Sequence, residues 1–311
     1  MIPEHRQIQI PMSNRKSMNP GQKAPDIPSI AQFNVQIALA EDVGDGDVTA
    51  KLIPCGARAT AWVTCREPAV ICGQPWFDET FRQLDPGISV EWMVTEGDRV
   101  EPDTRICKIT GPARAVLTGE RTALNFLQTL SGTATAAAAL AALVAGTGCS
   151  VLDTRKTIPG LRQAQKYAAL CGGMRNHRIG LFDGILIKEN HIMAAGSIAA
   201  AVQSAREAAH ELTVEVEVET LEEAREAITA GADILLLDDF SLEQMREAVR
   251  LNRELAASLP RDRAMLEASG SVTEETLPGI AATGVDYVSV GAVTKHLRAI
   301  DFSMRFTLEQ A

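Results

Sequence analysis

The sequence of 311 residues is short of positive charge. It holds 30 Lys and Arg against 40 Asp and Glu, which gives a formal net charge of −10 and a pI near 5.1. Duplex binding depends on many contacts between basic side chains and phosphates, so this deficit argues against a nucleic-acid partner. With 46% apolar and 23% charged residues, the composition is that of a globular protein and not of a disordered one.

Long apolar runs are also missing. The longest run of small apolar residues, 133–144, is too short to span a bilayer. Residues 1–28 are rich in Pro, Asn, Ser and Gln and lack the apolar core of a signal peptide. We therefore expect no membrane partner. We interpret 1–28 as a flexible N-terminal extension, with Met12 and Met18 as alternative start residues.

The six cysteines include no Cys-x-x-Cys pair. This spacing argues against a zinc site or a disulfide framework, and it predicts a cytoplasmic protein in a reducing compartment. Three other signatures are absent from the sequence: a Gly-x4-Gly-Lys-Ser/Thr phosphate loop, a Gly-x-Gly-x-x-Gly turn after a strand and a Gly-x-Ser-x-Gly elbow. Nothing in the sequence indicates a covalent nucleophile.

What is present from residue 149 onward is an alternation of strands and helices. Six short apolar runs occupy 149–154, 184–188, 212–218, 232–237, 264–268 and 285–290. Two of the helices between them begin with capping boxes at Thr220 and Ser241, and Gly231 and Gly284 are suitable stops before the next strand. The alternation predicts parallel strands with right-handed crossovers, hence an α/β fold. A closed or nearly closed α/β barrel fits best. A doubly wound sheet is the alternative, because six runs fall short of eight barrel strands.

The first part of the chain has a different pattern. Residues 30–116 have the short, mixed elements of an α/β domain. Residues 118–145 have the apolar spacing of a helical pair, which Ser131 and Gly132 kink or break.

Polar residues follow almost every strand of the second part, where α/β barrels carry their active sites. Along 213–219 Val and Glu alternate strictly, which places Glu217 on the face opposite the valines. In a strand covered by helices that face points into the barrel, where a carboxylate needs a cation or a metal. An edge strand with a solvated face is the alternative interpretation.

A cationic segment is the second functional signal. Residues 151–190 hold seven Lys or Arg and three Asp or Glu, so this segment carries +4 and the rest of the chain −14. A concentrated positive patch on an acidic protein indicates a pocket for a small, multiply charged anion, to which Arg offers paired donors. Pairing of these cations with surface acids is the alternative.

Together these segments resemble the quinolinate phosphoribosyltransferase family. The similarity runs from about residue 38 to 302, with motifs at 40–49, 119–128, 153–162, 172–178, 186–191, 214–217, 267–270 and 285–291. Each motif is modest alone, but their order and number are specific. The resemblance implies an N-terminal α/β sandwich domain at 29–130 and an open, incomplete α/β barrel at 131–296, with 297–311 packing back on the first domain.

The resemblance also implies a reaction. Quinolinate and 5-phosphoribosyl-1-pyrophosphate (PRPP) react in the presence of Mg²⁺ to give nicotinate mononucleotide, pyrophosphate and CO₂, a step of NAD biosynthesis. The implied catalytic residues are Lys156, Lys188, Glu217 and Asp238. No protein ligand of the Mg²⁺ is assigned. The substrates hold the ion, with Glu217 and Asp238 nearby.

The implied substrate-binding residues divide by ligand. Arg121, Arg155, His177 and Arg178 hold quinolinate; Lys156 and Lys188 neutralise pyrophosphate and carboxylate; and Glu217 and Asp238 bind ribose hydroxyls directly or through Mg²⁺. The 5′-phosphate takes backbone N–H groups around Ser269, Gly270 and Gly291. The complete implied set is Arg121, Thr154, Arg155, Lys156, His177, Arg178, Lys188, Glu217, Asp238, Ser269, Gly270, Ser271, Val290, Gly291 and Ala292. The resemblance further implies a homodimer, or a larger assembly of dimers, in which Arg121 reaches the neighbouring subunit's site.

The chain departs from the family pattern at three places. Asp239 stands where Asn is usual, and Cys171 replaces the first Gly of a glycine triplet. After Gly291, either Lys295 or His296 takes the place of the usual phosphate-binding His. Two alternatives remain at this point: a related phosphoribosyltransferase-like protein of molybdenum metabolism, and a catalytically silent barrel that senses an anionic metabolite. The cationic set favours quinolinate, and the retained carboxylates argue against a sensor.

Overall fold

The computed structural model describes residues 25–259 and 262–309. Most of the expected N-terminal extension, residues 1–24, lies outside the described residues. The first helix, α1 (Ile27–Val43), begins within the last two residues of that extension. Asp26 caps it, because its carboxylate accepts hydrogen bonds from the N–H and the hydroxyl of Ser29.

The first domain packs helices against a four-stranded antiparallel sheet of order β12-β1-β5-β3. Its strands are β1 (Arg58–Cys65), β3 (Ser89–Trp92), β5 (Thr104–Pro112) and β12 (Phe302–Leu308). A ribbon of β2 (Ala69–Val70) and β4 (Arg99–Val100) lies beside it. Every second residue of β1 is buried, and α2 (Gln74–Leu84) covers that face with Phe77 and Phe81.

Helix α3 (Ala113–Leu143) runs without a break through both parts of the molecule, so the predicted helical pair is wrong. At Ser131 and Gly132, other segments of the chain approach the helix closely instead. The Ser131 hydroxyl accepts from the Cys72 N–H and donates to the Cys72 carbonyl, both at 3.0 Å. A Cβ on Gly132 would lie 2.3 Å from the Arg298 carbonyl oxygen. Among the described residues, α3 is the one helix long and apolar enough to cross a bilayer. Because 56% of its apolar window is buried inside the protein, it is a core helix.

The second domain contains all six predicted strands in one parallel sheet of order β6-β11-β10-β9-β8-β7. The strands are β6 (Ser150–Leu152), β7 (Ile185–Ile187), β8 (Val214–Val218), β9 (Ile234–Asp238), β10 (Met265–Ser269) and β11 (Tyr287–Ser289). From β7 to β11 each new strand is added on the same side, and β6 follows β11. A doubly wound sheet reverses direction at its first strand, so this order confirms the open α/β barrel.

Seven helices accompany these strands: α4 (Arg162–Cys171), α5 (Glu189–Ala195), α6 (Ile198–Ala208), α7 (Leu221–Ala230), α8 (Leu242–Ala256), α9 (Leu277–Ala281) and α10 (Ala292–Lys295). Val214, Val216 and Val218 belong to the core cluster that the outer helices cover. The capping box at Ser241 is complete, whereas at Thr220 the hydroxyl caps α7 and the Glu223 carboxylate accepts from the N–H of Glu219 instead. The outward-facing valines therefore leave the glutamates of β8 facing the barrel interior.

Candidate active site

The carboxyl ends of the parallel strands bring most of the predicted residues together. Lys188, after β7, forms an ion pair with Glu217 near the end of β8. Asp238 ends β9, and burial and the neighbouring charges of Glu217 and Asp239 raise its pKa. Ser269 ends β10 opposite Asp238 in the parallel register. The sheet thus aligns one cation and two carboxylates along the mouth of the barrel.

Gly291, after β11, completes the ring of strand ends. A Cβ at this position would lie 2.9 Å from the Lys156 side chain and 3.2 Å from the Thr154 hydroxyl. The Thr154 hydroxyl accepts the Lys156 N–H, and the Thr294 hydroxyl donates to the Lys156 carbonyl at 2.7 Å. A glycine at 291 leaves room for the Lys156 side chain, while the bonds to Thr154 and Thr294 hold the backbone of Lys156 and its side chain stays exposed.

The turn after β10 is equally tight. Gly270 has φ +141°, and a Cβ there would lie 2.5 Å from the Asp239 carboxylate. Asp239 itself has φ +52°, a left-handed conformation that Asp and Asn tolerate better than other non-glycine residues. Its N–H donates to the Ser269 carbonyl at 3.1 Å. Asp239 thus shapes the turn.

Two arginines of the predicted substrate-binding set, Arg155 and Arg178, are not fully hydrogen-bonded. The Nε atoms of Arg155 and Arg178 are buried and have no partner among the described residues. One Arg178 terminal nitrogen donates to the Gly184 carbonyl at 3.2 Å. Burial and the nearby charge of Arg155 lower the pKa of Arg178. A buried, unpaired donor is costly, so this pair of cations is arranged to accept an anion.

Below these arginines lies a buried cluster of His177, Glu215 and Glu267. The His177 Nε2 lies 3.0 Å from Glu215 and 3.5 Å from Glu267, and its Nδ1 accepts the Arg178 N–H at 2.8 Å. Burial opposes the charged imidazole, but the bond to Glu215 and the charge of Glu267 outweigh it, and the His177 pKa is raised. Burial and the charge of Glu215 raise the pKa of Glu267. Both ring nitrogens of His177 are thus already engaged.

A second buried network holds the segment that carries His177 and Arg178. The Asp153 carboxylate pairs with the Lys166 ammonium and accepts bonds from the Asn176 amide at 2.5 Å and the His177 N–H at 2.9 Å. The Lys166 ammonium also donates to the His177 carbonyl at 3.0 Å. Burial raises the pKa of Asp153 and lowers that of Lys166. Lys166, counted in the cationic segment, is therefore neutralised within the core and does not serve a ligand.

Five buried members of these networks were not predicted as site residues: Asp153, Lys166, Asn176, Glu215 and Glu267. The strict alternation of β8 already placed Glu215 on the same face as Glu217, which was a usable signal. No local pattern pairs Asp153 with Lys166. Arg121 is an exposed residue of α3, and none of its described contacts brings it to the barrel mouth of its own chain.

The chain is similar to known proteins along most of its length. Residues 47–131 match the family model for the quinolinate phosphoribosyl transferase N-terminal domain, and residues 133–305 match that for the C-terminal domain. A probable nicotinate-nucleotide pyrophosphorylase (carboxylating) of Bacillus subtilis is 40% identical over 269 residues, covering 86% of this chain and 90% of that protein. The nicotinate-nucleotide pyrophosphorylase (carboxylating) of Homo sapiens is 40% identical over 252 residues, covering 80% of this chain and 82% of that one.

A solved structure shares the fold. The nicotinate-nucleotide pyrophosphorylase from Francisella tularensis superposes with a TM-score of 0.86 at 45% identity, covering 94% of this chain and 100% of that one. The two family models together span nearly all of both described domains. The chain therefore belongs to the quinolinate phosphoribosyltransferase family.

Proposed function

We propose a division of roles among the barrel-mouth residues for the reaction of this family. The enzyme transfers the phosphoribosyl group of PRPP to quinolinate with decarboxylation, and gives nicotinate mononucleotide, pyrophosphate and CO₂ in NAD biosynthesis. The observation that supports the assignment best is the pair of interior arginines, Arg155 and Arg178, whose Nε donors lack partners.

Arg155 and Arg178 hold the two carboxylates of quinolinate. Quinolinate is a dianion, and guanidinium groups match carboxylates with two parallel donors. Binding relieves the repulsion between the two arginines and satisfies their free donors. His177 supports the backbone of this segment, because its Nδ1 accepts the Arg178 N–H. The network of Asp153 and Lys166 keeps this segment in place.

Lys156 and Lys188 neutralise the pyrophosphate and the substrate carboxylates. Both side chains are exposed at the mouth, and Lys188 is held towards the ribose side by its ion pair with Glu217. A flexible ammonium suits a group whose charge changes during the reaction. As pyrophosphate leaves, its growing negative charge is stabilised by these two lysines.

Glu217 and Asp238 act on the ribose. Positive charge develops at the anomeric carbon as pyrophosphate departs, and carboxylates fixed nearby stabilise it. Burial and the charges of Glu217 and Asp239 raise the pKa of Asp238, which supports the binding of an added cation beside these acids. Carboxylate oxygens are ligands that Mg²⁺ accepts, so the site fits the ion. Mg²⁺, when bound with PRPP, neutralises pyrophosphate charge.

The 5′-phosphate of PRPP takes the remaining predicted residues of the mouth. Two tight turns present their backbone N–H groups to the 5′-phosphate. One comprises Ser269, Gly270 and Ser271, and the other comprises Val290, Gly291 and Ala292. Lys295 or His296 is the accompanying cation.

Arg121 completes the quinolinate site of a neighbouring subunit in a homodimer. Its exposure on α3 supports this placement. The free cysteines of the described chain support a cytoplasmic location.

Decarboxylation needs no organic cofactor. After the ring nitrogen attacks the anomeric carbon, the positive pyridinium nitrogen stabilises the electron pair that stays on the adjacent ring carbon when its carboxylate leaves as CO₂. That carbon then takes up a proton from water, which gives nicotinate mononucleotide. The residues of this chain hold the ring in place during both steps. Release of CO₂ removes one of the charges that the arginines bind, which favours departure of the product.

The test is a direct assay with quinolinate, PRPP and Mg²⁺ that follows nicotinate mononucleotide. Arg155→Met should raise KM for quinolinate by about 10-fold or more, the value of one charge-assisted hydrogen bond. Arg225→Met is the matched control, because it removes the same charge from the exposed face of α7. Activity with nicotinate in place of quinolinate, or equal effects of the two variants, would contradict the assignment.

A further inference from the structure

A cluster of two thiols and a carboxylate lies between the two domains. Cys72 follows β2, Glu96 lies in the turn before β4, and Cys171 is the last residue of α4. One ligand atom from each lies within 4.8 Å of the others. None of the three is among the residues assigned to the substrates. We propose that this cluster binds a thiophilic divalent ion, Zn²⁺ being the natural candidate.

The spacing suits a tetrahedral ion. The Cys171 Sγ lies 3.6 Å from the Glu96 Oε2. Zinc bonds of about 2.3 Å to sulfur and about 2.0 Å to oxygen separate two such ligands by about 3.5 Å in a tetrahedron. The other oxygen, Oε1, accepts the N–H groups of Gly73 at 2.9 Å and Gln74 at 2.6 Å. The carboxylate is thus held rigidly with Oε2 turned towards the thiols.

A buried hydroxyl without a well-formed hydrogen bond points to a missing ligand. Tyr167 is 1% exposed, and no well-formed hydrogen bond satisfies its hydroxyl among the described residues, although Glu96 and Cys171 lie within its reach. The electrostatic neighbours of this hydroxyl are Glu96, Cys171 and Cys72, so it faces the cluster. An unsatisfied buried hydroxyl costs free energy, and an ion with its remaining ligand would supply what the Tyr167 hydroxyl lacks.

Binding requires that the thiols lose their protons. Burial raises the pKa of the Cys72 thiol. At Cys171 the hydrogen bond with Cys72 lowers the pKa, but burial and the charge of Glu96 outweigh it, and the Cys171 pKa is raised. Both thiols are therefore protonated at neutral pH without an ion, and each must release a proton when it becomes a ligand. Uptake of one ion should release two protons, and the affinity should rise with pH.

The site would join the two domains. Cys72 and Glu96 come from the first domain, whereas Cys171 and Tyr167 belong to α4, which also carries Lys166 of the buried network under the mouth. An ion that binds only the folded chain raises its thermal stability by mass action. The spacing of the cysteines does not predict this site, because Cys72 and Cys171 are far apart along the chain and do not form a Cys-x-x-Cys pair.

The experiment uses the full chain with Cys55→Ser, which removes the exposed thiol. The reduced, metal-free protein is titrated with Cd²⁺ as a spectroscopic probe and then with Zn²⁺. We expect one ion per chain, thiolate-to-Cd²⁺ charge-transfer absorption, two protons released and a higher Tm. Cys171→Ala should abolish uptake. Cys149→Ala, which removes a buried thiol elsewhere in the barrel, should leave uptake unchanged.

Glu96→Gln tests the oxygen ligand separately and should weaken binding about 10-fold or more while keeping an acceptor for the two N–H groups. No uptake by the parent chain would overturn the proposal, as would equal uptake by the Cys171→Ala and Cys149→Ala variants. Mass spectrometry of the purified chain provides a further check. A Cys72–Cys171 disulfide, lighter by two hydrogens, would show that the cluster is a redox pair and not an ion site.

Discussion

Asp153→Asn should destabilise the protein strongly although it changes almost no volume. The carboxylate is completely buried and is the counter-ion of the equally buried Lys166 ammonium. Removing one partner of such a pair leaves a charge without compensation, which costs about 3–5 kcal/mol. Because burial already lowers the Lys166 pKa, the lysine can shed its proton, so the cost should shrink as the pH rises.

Adding Lys166→Met to the Asp153→Asn variant separates the cost of the unpaired charge from the cost of lost packing. The double variant Asp153→Asn/Lys166→Met removes both charges at similar volume, and we expect it to recover about 2 kcal/mol or more of the loss. Glu243→Gln is the control. It breaks an exposed ion pair with Arg246 on α8 and should cost less than about 0.5 kcal/mol.

Urea unfolding followed by circular dichroism measures these differences. The three tryptophans, Trp62, Trp76 and Trp92, all lie in the first domain, and of the barrel they sense the contact of Trp76 with Tyr167 on α4. Circular dichroism reports on the helices of both domains. The midpoint and the slope together give the free energy of unfolding. If the double variant were as unstable as Asp153→Asn, or if Asp153→Asn were no worse than Glu243→Gln, the charge argument would be wrong.

Three further outcomes are expected. Lys188→Ala should reduce kcat by about 100-fold with an unchanged Tm, since its side chain is exposed; near-normal turnover would reject its role at the mouth. Arg121→Ala mixed with Lys188→Ala should restore part of the activity through hybrid dimers, and no recovery after subunit exchange would count against a shared site. Glu267 has a raised pKa in the folded state, so its contribution to stability is complete below its ordinary value of 4.5 and is lost as the pH rises. Glu267→Gln should remove a slope of at most about 1.4 kcal/mol per pH unit, seen by comparing unfolding at about pH 5 and about pH 8; an unchanged slope would exclude Glu267 as the source.

The strands and the placement of the strand-end residues were predicted from sequence patterns that local interactions determine. Alternation along β8 determined which face carries Glu217, and capping residues and glycines determined where helices begin and end. The helical-pair prediction failed because Ser131 and Gly132 serve contacts with distant parts of the chain. Such contacts leave no periodic trace in the sequence.

Charge counting failed in the same way at Lys166. Its pairing with Asp153 depends on the packing of α4 against the segment after β6, and no spacing rule connects the two positions. The role of Arg121 stays a prediction, because it depends on a second subunit. Local patterns therefore predicted the elements and the mouth of the barrel, whereas the buried support of the mouth required the three-dimensional arrangement.

The antiparallel pairing of β12 with β1 has a consequence for biosynthesis. The Thr60 hydroxyl reaches the carboxylate of Glu309, a residue 249 positions later in the sequence. The first sheet therefore cannot acquire this edge strand until the ribosome has made the whole barrel. Until then β1 exposes an unpaired edge, which is a template for association with other nascent chains. Maturation of the first domain must wait for the last strand, so the two domains finish folding together although one is synthesised long before the other.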